Sequence, residues 1–186
     1  MRTLAREEAD ILTPAFIKIG SDLGPPTAQL ESLVPPLHEL ATQATEHGTR
    51  IAIETMPFSI ISTVPMGVEI ISATAHPAVG LLLDAWHVFR AGTSLEDLRA
   101  ALSPAMIFGV ELDDAAQDAV GNLFEDTLDH RLLCGEGSFD LRGLVEVLRD
   151  KGFDGPWGVE ILSSSFRQLP VGQALKLAAE STLSVL

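Results

Sequence analysis

Between Val79 and His87 the chain reads Val-Gly-Leu-Leu-Leu-Asp-Ala-Trp-His, an uninterrupted apolar run that stops at an acid and an imidazole. A continuous run of this length, with a turn before it and polar residues after it, suits a strand of a parallel sheet that is covered on both faces. Asp84 then stands at the strand's carboxyl end, where (β/α) barrels and other parallel sheets place their chemistry. Three further segments repeat the pattern of apolar strand closed by an acid: Arg50 to Glu54 (RIAIE), Met106 to Glu111 (MIFGVE) and Trp157 to Glu160 (WGVE). The four acids are therefore candidates for a single rim. They are spaced 30, 27 and 49 residues apart. A strand-helix unit needs about 30 residues, so the first two gaps are one unit each and the third is a unit plus a long loop.

The rest of the chain fills in the alternation. Arg2 to Ile11 reads as a helix and Ala15 to Ile19 as a strand, followed by a loop through Gly20, Gly24 and the Pro25-Pro26 pair. Thr27 to His47 is helical in pattern but secure only from Pro35, because a proline pair belongs in a first turn or at a break. Gly48 is placed to end that helix in a left-handed conformation. An apolar stretch containing Val68, Ile70, Ile71 and Ala75 predicts a helix that stops before His76-Pro77, and Arg90 falls in a loop. Ser94 caps a helix running to Leu102, Asp140 to Lys151 is amphipathic with Leu141, Leu144, Val145 and Leu148 inward, and Gln173 to Leu186 forms the last helix. Asp113 to Ser138 is left as one long connection, of a length that in compact domains is usually functional or mobile.

Strands alternating with helices mean an α/β chain with a parallel sheet, either open and doubly wound or part of a barrel. No glycine-rich dinucleotide or phosphate-loop signature follows any strand, since Gly135-Glu136-Gly137 lacks the rest of either motif. At 186 residues and 46% hydrophobic content the chain is expected to form one domain over 1–186. No run approaches the roughly 18–20 apolar residues of a membrane span. The amino terminus lacks the apolar centre of a signal peptide and the single cysteine, Cys134, cannot form an internal disulfide, so a cytoplasmic location is expected. With 26 acids against 12 Lys and Arg the formal charge is −14, which disfavours nucleic acid and anionic membranes as partners.

The strand-end Glu of IAIET, the Asp-x-x-His of LLLDAWH, the Gly-Glu-Gly-x-x-Asp of CGEGSFD after a His-Arg pair, and the GFDGPWGVEIL ending together resemble the sugar phosphate isomerase/epimerase proteins of the xylose isomerase-like TIM-barrel superfamily. The resemblance runs from about Ala9 to the carboxyl terminus and implies an incomplete (β/α)8 TIM barrel, with about five parallel strands corresponding to strands 4 to 8. Three strands are wanting, which points to a truncated chain, a start codon set too far downstream, strands supplied by another polypeptide, or association of the five strands with a second copy. In a closed barrel all eight strands would cover inward-facing residues, expected here to include Ile17, Ile53, Leu83 and Phe108.

The same resemblance implies a divalent metal at the barrel mouth, held by Glu54, Asp84, Glu111 and Glu160. Glu111 departs from the family pattern, which often has His at that position. An oxygen-rich set favours Mn or Mg, with Co or Zn as alternatives. It further implies isomerase or epimerase chemistry on a small sugar, sugar phosphate or inositol-like polyhydroxy carbonyl compound through an enediolate, with Glu54 and Glu160 as the acid/base pair. His87 would touch a substrate oxygen or orient a ligand, and Arg131 would meet a polar or anionic part of the substrate. A dehydratase is the near variant, a non-catalytic remnant of the same fold is the alternative, and nuclease chemistry is disfavoured by the charge. Read without the resemblance, Glu111 is equally a solvated strand end, His87 a ring packed on Trp86, and Arg131 an ordinary loop residue.

Overall fold

The computed structural model describes residues 14–24 and 30–186. Its strands are β1 (Ile17–Gly20), β2 (Ile51–Glu54), β3 (Val79–Asp84), β4 (Ile107–Leu112) and β5 (Trp157–Val159). The helices among the described residues are α1 (Val34–Glu46), α2 (Val64–Thr74), α3 (Ala85–Arg90), α4 (Leu95–Ala101), α5 (Leu123–Asp129), α6 (Leu141–Asp150) and α7 (Val171–Leu183). The helix expected over Arg2 to Ile11 lies outside the described residues.

All neighbouring strands pair in parallel and lie in the order β1-β2-β3-β4-β5. Strand order that follows chain order, with no reversal, is the winding of a barrel rather than of a doubly wound sheet. Helices therefore cover one face. Ile51, Ile53, Leu81, Leu83, Val110 and Leu112 pack there with Leu37, Ala41, Ile70, Leu98, Leu144 and Leu148 in the main core. The opposite, lumenal face carries a small cluster of Ala52, Leu82 and Phe108 against Phe16. Among the described residues the sheet is not closed, and β1 and β5 are its edges.

This arrangement corrects three of the four residues expected to face inward. Ile53 and Leu83 belong to the helix-facing core, and Ile17 shares their side of the sheet because it pairs with Ile51. Side chains alternate across a strand, so the lumenal parity is that of Ala52 and Leu82, and two residues further on it delivers Glu54 and Asp84 to the lumenal mouth. Phe108 does face the lumen. It lies an odd number of residues from Glu111, and a register shift between Leu81 and Leu82 opposite β4 lets both residues reach that side.

Several local expectations hold for the physical reasons that suggested them. Pro35 and Pro36 occupy the first turn of α1, and Gly48 beyond its end has φ +70. Ser94 caps α4, in a capping box with Asp97. Thr63, which the sequence reading did not single out, accepts a hydrogen bond from Met66 N to start α2. Two expectations are corrected. Arg90 ends helix α3 instead of lying in a loop, and the long connection after Asp113 contains α5. Asn122 and Glu125 form a capping box at the start of α5, a signal spelled in the sequence as Asn-x-x-Glu. The preceding segment is pinned by Arg90, which donates to Asp126 and to the carbonyls of Ala116 and Gln117.

Candidate metal centre

The carboxyl ends of β2, β3, β4 and β5 bring Glu54, Asp84, Glu111 and Glu160 together at the lumenal mouth. Each offers a carboxylate oxygen, and those atoms lie within 4.8 Å of one another. Oxygens that share an ion at about 2.0–2.6 Å are separated by at most about 4–5 Å, so the four fit a divalent cation. A second grouping with the same spread replaces Glu111 and Glu160 by His87. Glu54 and Asp84 are common to both.

Among the described residues, Lys18 and Arg131 partly offset the charge of this cluster. Lys18, on β1, donates from Nζ to Glu54 (3.1 Å), Glu111 (2.9 Å) and Glu160 (3.2 Å). Arg131 donates to Asp84 at 2.6 Å and to Asp113, and its Nη1 lies 3.4 Å from Glu160 Oε2. Arg131 is held there by its own amide, which donates to the Leu162 carbonyl (3.1 Å), and by contacts from Nε and Nη2 to Thr127. It is 1% exposed, so its guanidinium is spent on protein carboxylates. Neither Lys18 nor Asp113 stood out in the sequence. Lys18 is an unremarkable charge in a short strand, and Asp113 follows the strand-end acid it supports.

Burial drives the electrostatics. The Glu54 carboxyl is pushed up to about 7, chiefly by burial and by Asp84, with Lys18 pulling the other way. Burial also raises Glu111 and, well above its ordinary value, Asp113. For Asp84 burial acts upward too, but Arg131 and His87 outweigh it and hold the carboxyl below its ordinary value. Burial works against the Lys18 ammonium, yet its carboxylate neighbours raise it. His87 is held down to about 4 by burial, so its imidazole is neutral near pH 7.

Asp84 also caps α3 by accepting from His87 N (3.1 Å), which fixes the imidazole beside the cluster. The ring packs edge-on against Trp86 and Phe58, and its Nδ1 is buried without a hydrogen-bond partner. A packed ring and a free acceptor or donor are therefore both present in one residue. Trp86 is oriented through Nε1 to Asp126 (2.9 Å), the carboxylate that also binds Arg90 and Val120 N. The Gly-Glu-Gly-x-x-Asp motif is structural. Asp114 accepts from the amides of Ala115, Gly135 and Phe139, a Cβ on Gly137 would come within 2.2 Å of the Asp114 carboxylate, and Asp140 caps α6. Cys134 is buried and its thiol is pushed up to about 11 by burial, as suits an unreactive cysteine.

Comparison with known proteins agrees with this geometry. The model of the xylose isomerase-like TIM barrel family matches residues 9–183. An inosose isomerase of Halalkalibacterium halodurans is 31% identical over 156 residues, 83% of this chain and 54% of that protein. A 3-dehydroshikimate dehydratase of Pseudomonas putida is 28% identical over 142 residues, 76% of this chain and 22% of that protein. The solved structure of the IOLI protein with a binding zinc atom superposes with a TM-score of 0.86 at 25% identity, covering 97% of this chain and 66% of that one. The chain spans about half the length of the inosose isomerases it matches. Five parallel strands in barrel order, a mouth of four strand-end acids and a family match over nearly every residue have one reading: the chain belongs to the xylose isomerase-like TIM barrel family.

Proposed function

We propose that the chain carries the metal-binding part of an isomerase or epimerase that moves a proton next to the carbonyl of a small polyhydroxy compound, an inosose-like cyclic ketone being the first substrate to test. The observation that carries the reading is the convergence of Glu54, Asp84, Glu111 and Glu160 within one ion's reach. Mn or Mg suits an all-carboxylate set, while Zn gains ground if His87 ligates. When bound, such an ion supplies Lewis-acid stabilisation of negative charge on the substrate oxygens.

The chain's own residues do the remaining work. Glu54, buried at the mouth, can take a carbon-bound proton and return it, and Glu160 at the same mouth is its partner acid/base. His87 offers its unpartnered Nδ1 to a substrate oxygen. Arg131 holds Asp84 in its charged form and steadies Glu160, so any contact it makes with an anionic substrate is made alongside those ion pairs. A dehydratase follows from the same proton abstraction if a leaving hydroxyl stands beside the enediolate, and the dehydratase relatives favour keeping that variant open. The unclosed sheet favours, as a second reading, a remnant that binds without turnover.

Calorimetric titration with Mn tests the centre. The wild-type chain is expected to bind one equivalent and a Glu54→Ala/Asp84→Ala double variant none, whereas unchanged binding in the double variant overturns the ligand set. Deuterium wash-in from D2O at the carbon next to an inosose carbonyl tests the chemistry. Wash-in that disappears in Glu160→Gln supports the isomerase. Mn binding without any wash-in supports the remnant.

A further inference from the structure

Lys18 sits where the ion would sit. Its Nζ lies 3.1, 2.9 and 3.2 Å from oxygens of Glu54, Glu111 and Glu160, three of the four acids that fit a divalent cation. Register explains how it gets there. Lys18 pairs with Ala52, two residues before Glu54, and its side chain spans the remaining 6–7 Å, roughly, to the mouth. An ammonium and a metal ion cannot share those oxygens at such distances without strong mutual repulsion.

Of Lys18 and Arg131, it is Lys18 that is built to leave. Arg131 is 1% exposed and tied by its guanidinium to Asp84, Asp113 and Thr127. The Lys18 side chain is 33% exposed, makes its ion pairs through Nζ alone, and rides on a flexible four-carbon stem. Glu111 strengthens the hold, because it gives Lys18 its shortest ion pair.

We propose that Lys18 is a tethered counter-ion that occupies the carboxylate cluster and competes with the divalent metal, so that metal affinity is set by the cost of displacing its ammonium. The proposal rests on the reading of the cluster as a metal centre. It makes a statement that the ligand set alone does not. Removing Lys18 should strengthen binding of Mn and Zn to a similar degree, since it removes a competitor and leaves every ligand in place.

The test is calorimetric titration of Mn, and separately Zn, into the chelator-stripped 186-residue chain as wild type, Lys18→Met, Lys18→Gln and Lys18→Arg. Lys18→Met and Lys18→Gln are expected to bind both metals at least tenfold more tightly, while Lys18→Arg, which keeps the charge, binds no more tightly than wild type. Wild-type binding with an unchanged or weaker dissociation constant in Lys18→Met and Lys18→Gln overturns the competition and leaves the metal centre standing. Absence of binding in every protein overturns both. If repulsion among the acids unfolds a metal-free variant, the Mn-dependent rise in melting temperature replaces the titration, and it must exceed that of wild type for the proposal to survive.

Discussion

Glu54 ends a strand inside the protein, and its burial has a consequence for stability that can be signed. Its carboxyl rises from 4.5 to about 7 in the folded chain, so the folded state holds that proton more tightly than the unfolded one. The associated stability is fully present below about pH 4.5 and is lost as pH rises through about 7. Glu111 and Asp113, also raised by burial, act in the same direction. Asp84, held below 3.8, contributes above that value and loses its contribution as pH falls through its lowered one. His87, lowered from 6.5 to about 4, opposes Glu54, Glu111 and Asp113 by losing its contribution as pH falls between those values. In chelator, the wild-type melting temperature should therefore gain a component between pH 7 and 4.5 that Glu54→Gln lacks. Superimposable pH profiles for the two proteins would show that Glu54 titrates as an ordinary surface acid.

Five of the seven α-helices among the described residues start at a side chain that accepts a hydrogen bond from a first-turn amide. The stretch after Asp113 looks structureless because its apolar residues are few and scattered, yet Asn122 accepts from Phe124 N and Glu125 N (both 3.0 Å) and Glu125 reaches back to Asn122 N (3.1 Å). Asp126 on this helix then binds Trp86, Arg90 and Val120 N, which couples α5 to the residue beside His87. Replacing Asn122 by Ala should cost about 1 kcal/mol, with 0.5–2 kcal/mol the usual range for a lost cap. Urea denaturation measures it, and a loss of less than about 0.3 kcal/mol would show that tertiary contacts alone hold α5 in place.

At the scale of the whole molecule the unclosed sheet dominates. Its edge strands expose Ile17 on β1 and Val159 on β5, and α7 beside β5 exposes Val171, Leu175 and Leu183. No helix among the described residues is long and apolar enough to cross a membrane. Burying apolar surface is worth roughly 25 cal/mol per Å², so several hundred Å² left in water forfeits several kcal/mol, on the order of a domain's net stability. The 186-residue chain by itself is expected to self-associate through these edges. Light scattering that finds a monodisperse monomer, with a sharp melting transition above about 50 °C, would show that five strands suffice alone.

The strand-end acids were legible because an apolar run closed by Asp or Glu is a one-dimensional pattern, and its repetition at unit spacing implies a shared rim before any coordinates exist. Helix boundaries at Pro35, Gly48, Ser94 and Asp140 were legible for the same reason, since capping chemistry is local. The face on which each strand residue lies was not. Ile53 and Leu83 read as barrel interior, and only the pairing of the strands and the cover of helices assigned them to the outer core, because a shift of one residue in parity exchanges the two faces of a strand. The ion pairs of the mouth were not legible either, although the family resemblance had already named Arg131. Lys18 lies 36 residues before Glu54 and 142 before Glu160, and Arg131 lies 47 after Asp84, so their meetings are made by folding alone. Sequence determined which residues could serve the site, and tertiary structure decided which of them share a charge, because Coulomb's law depends on distance in space and not on distance along the chain.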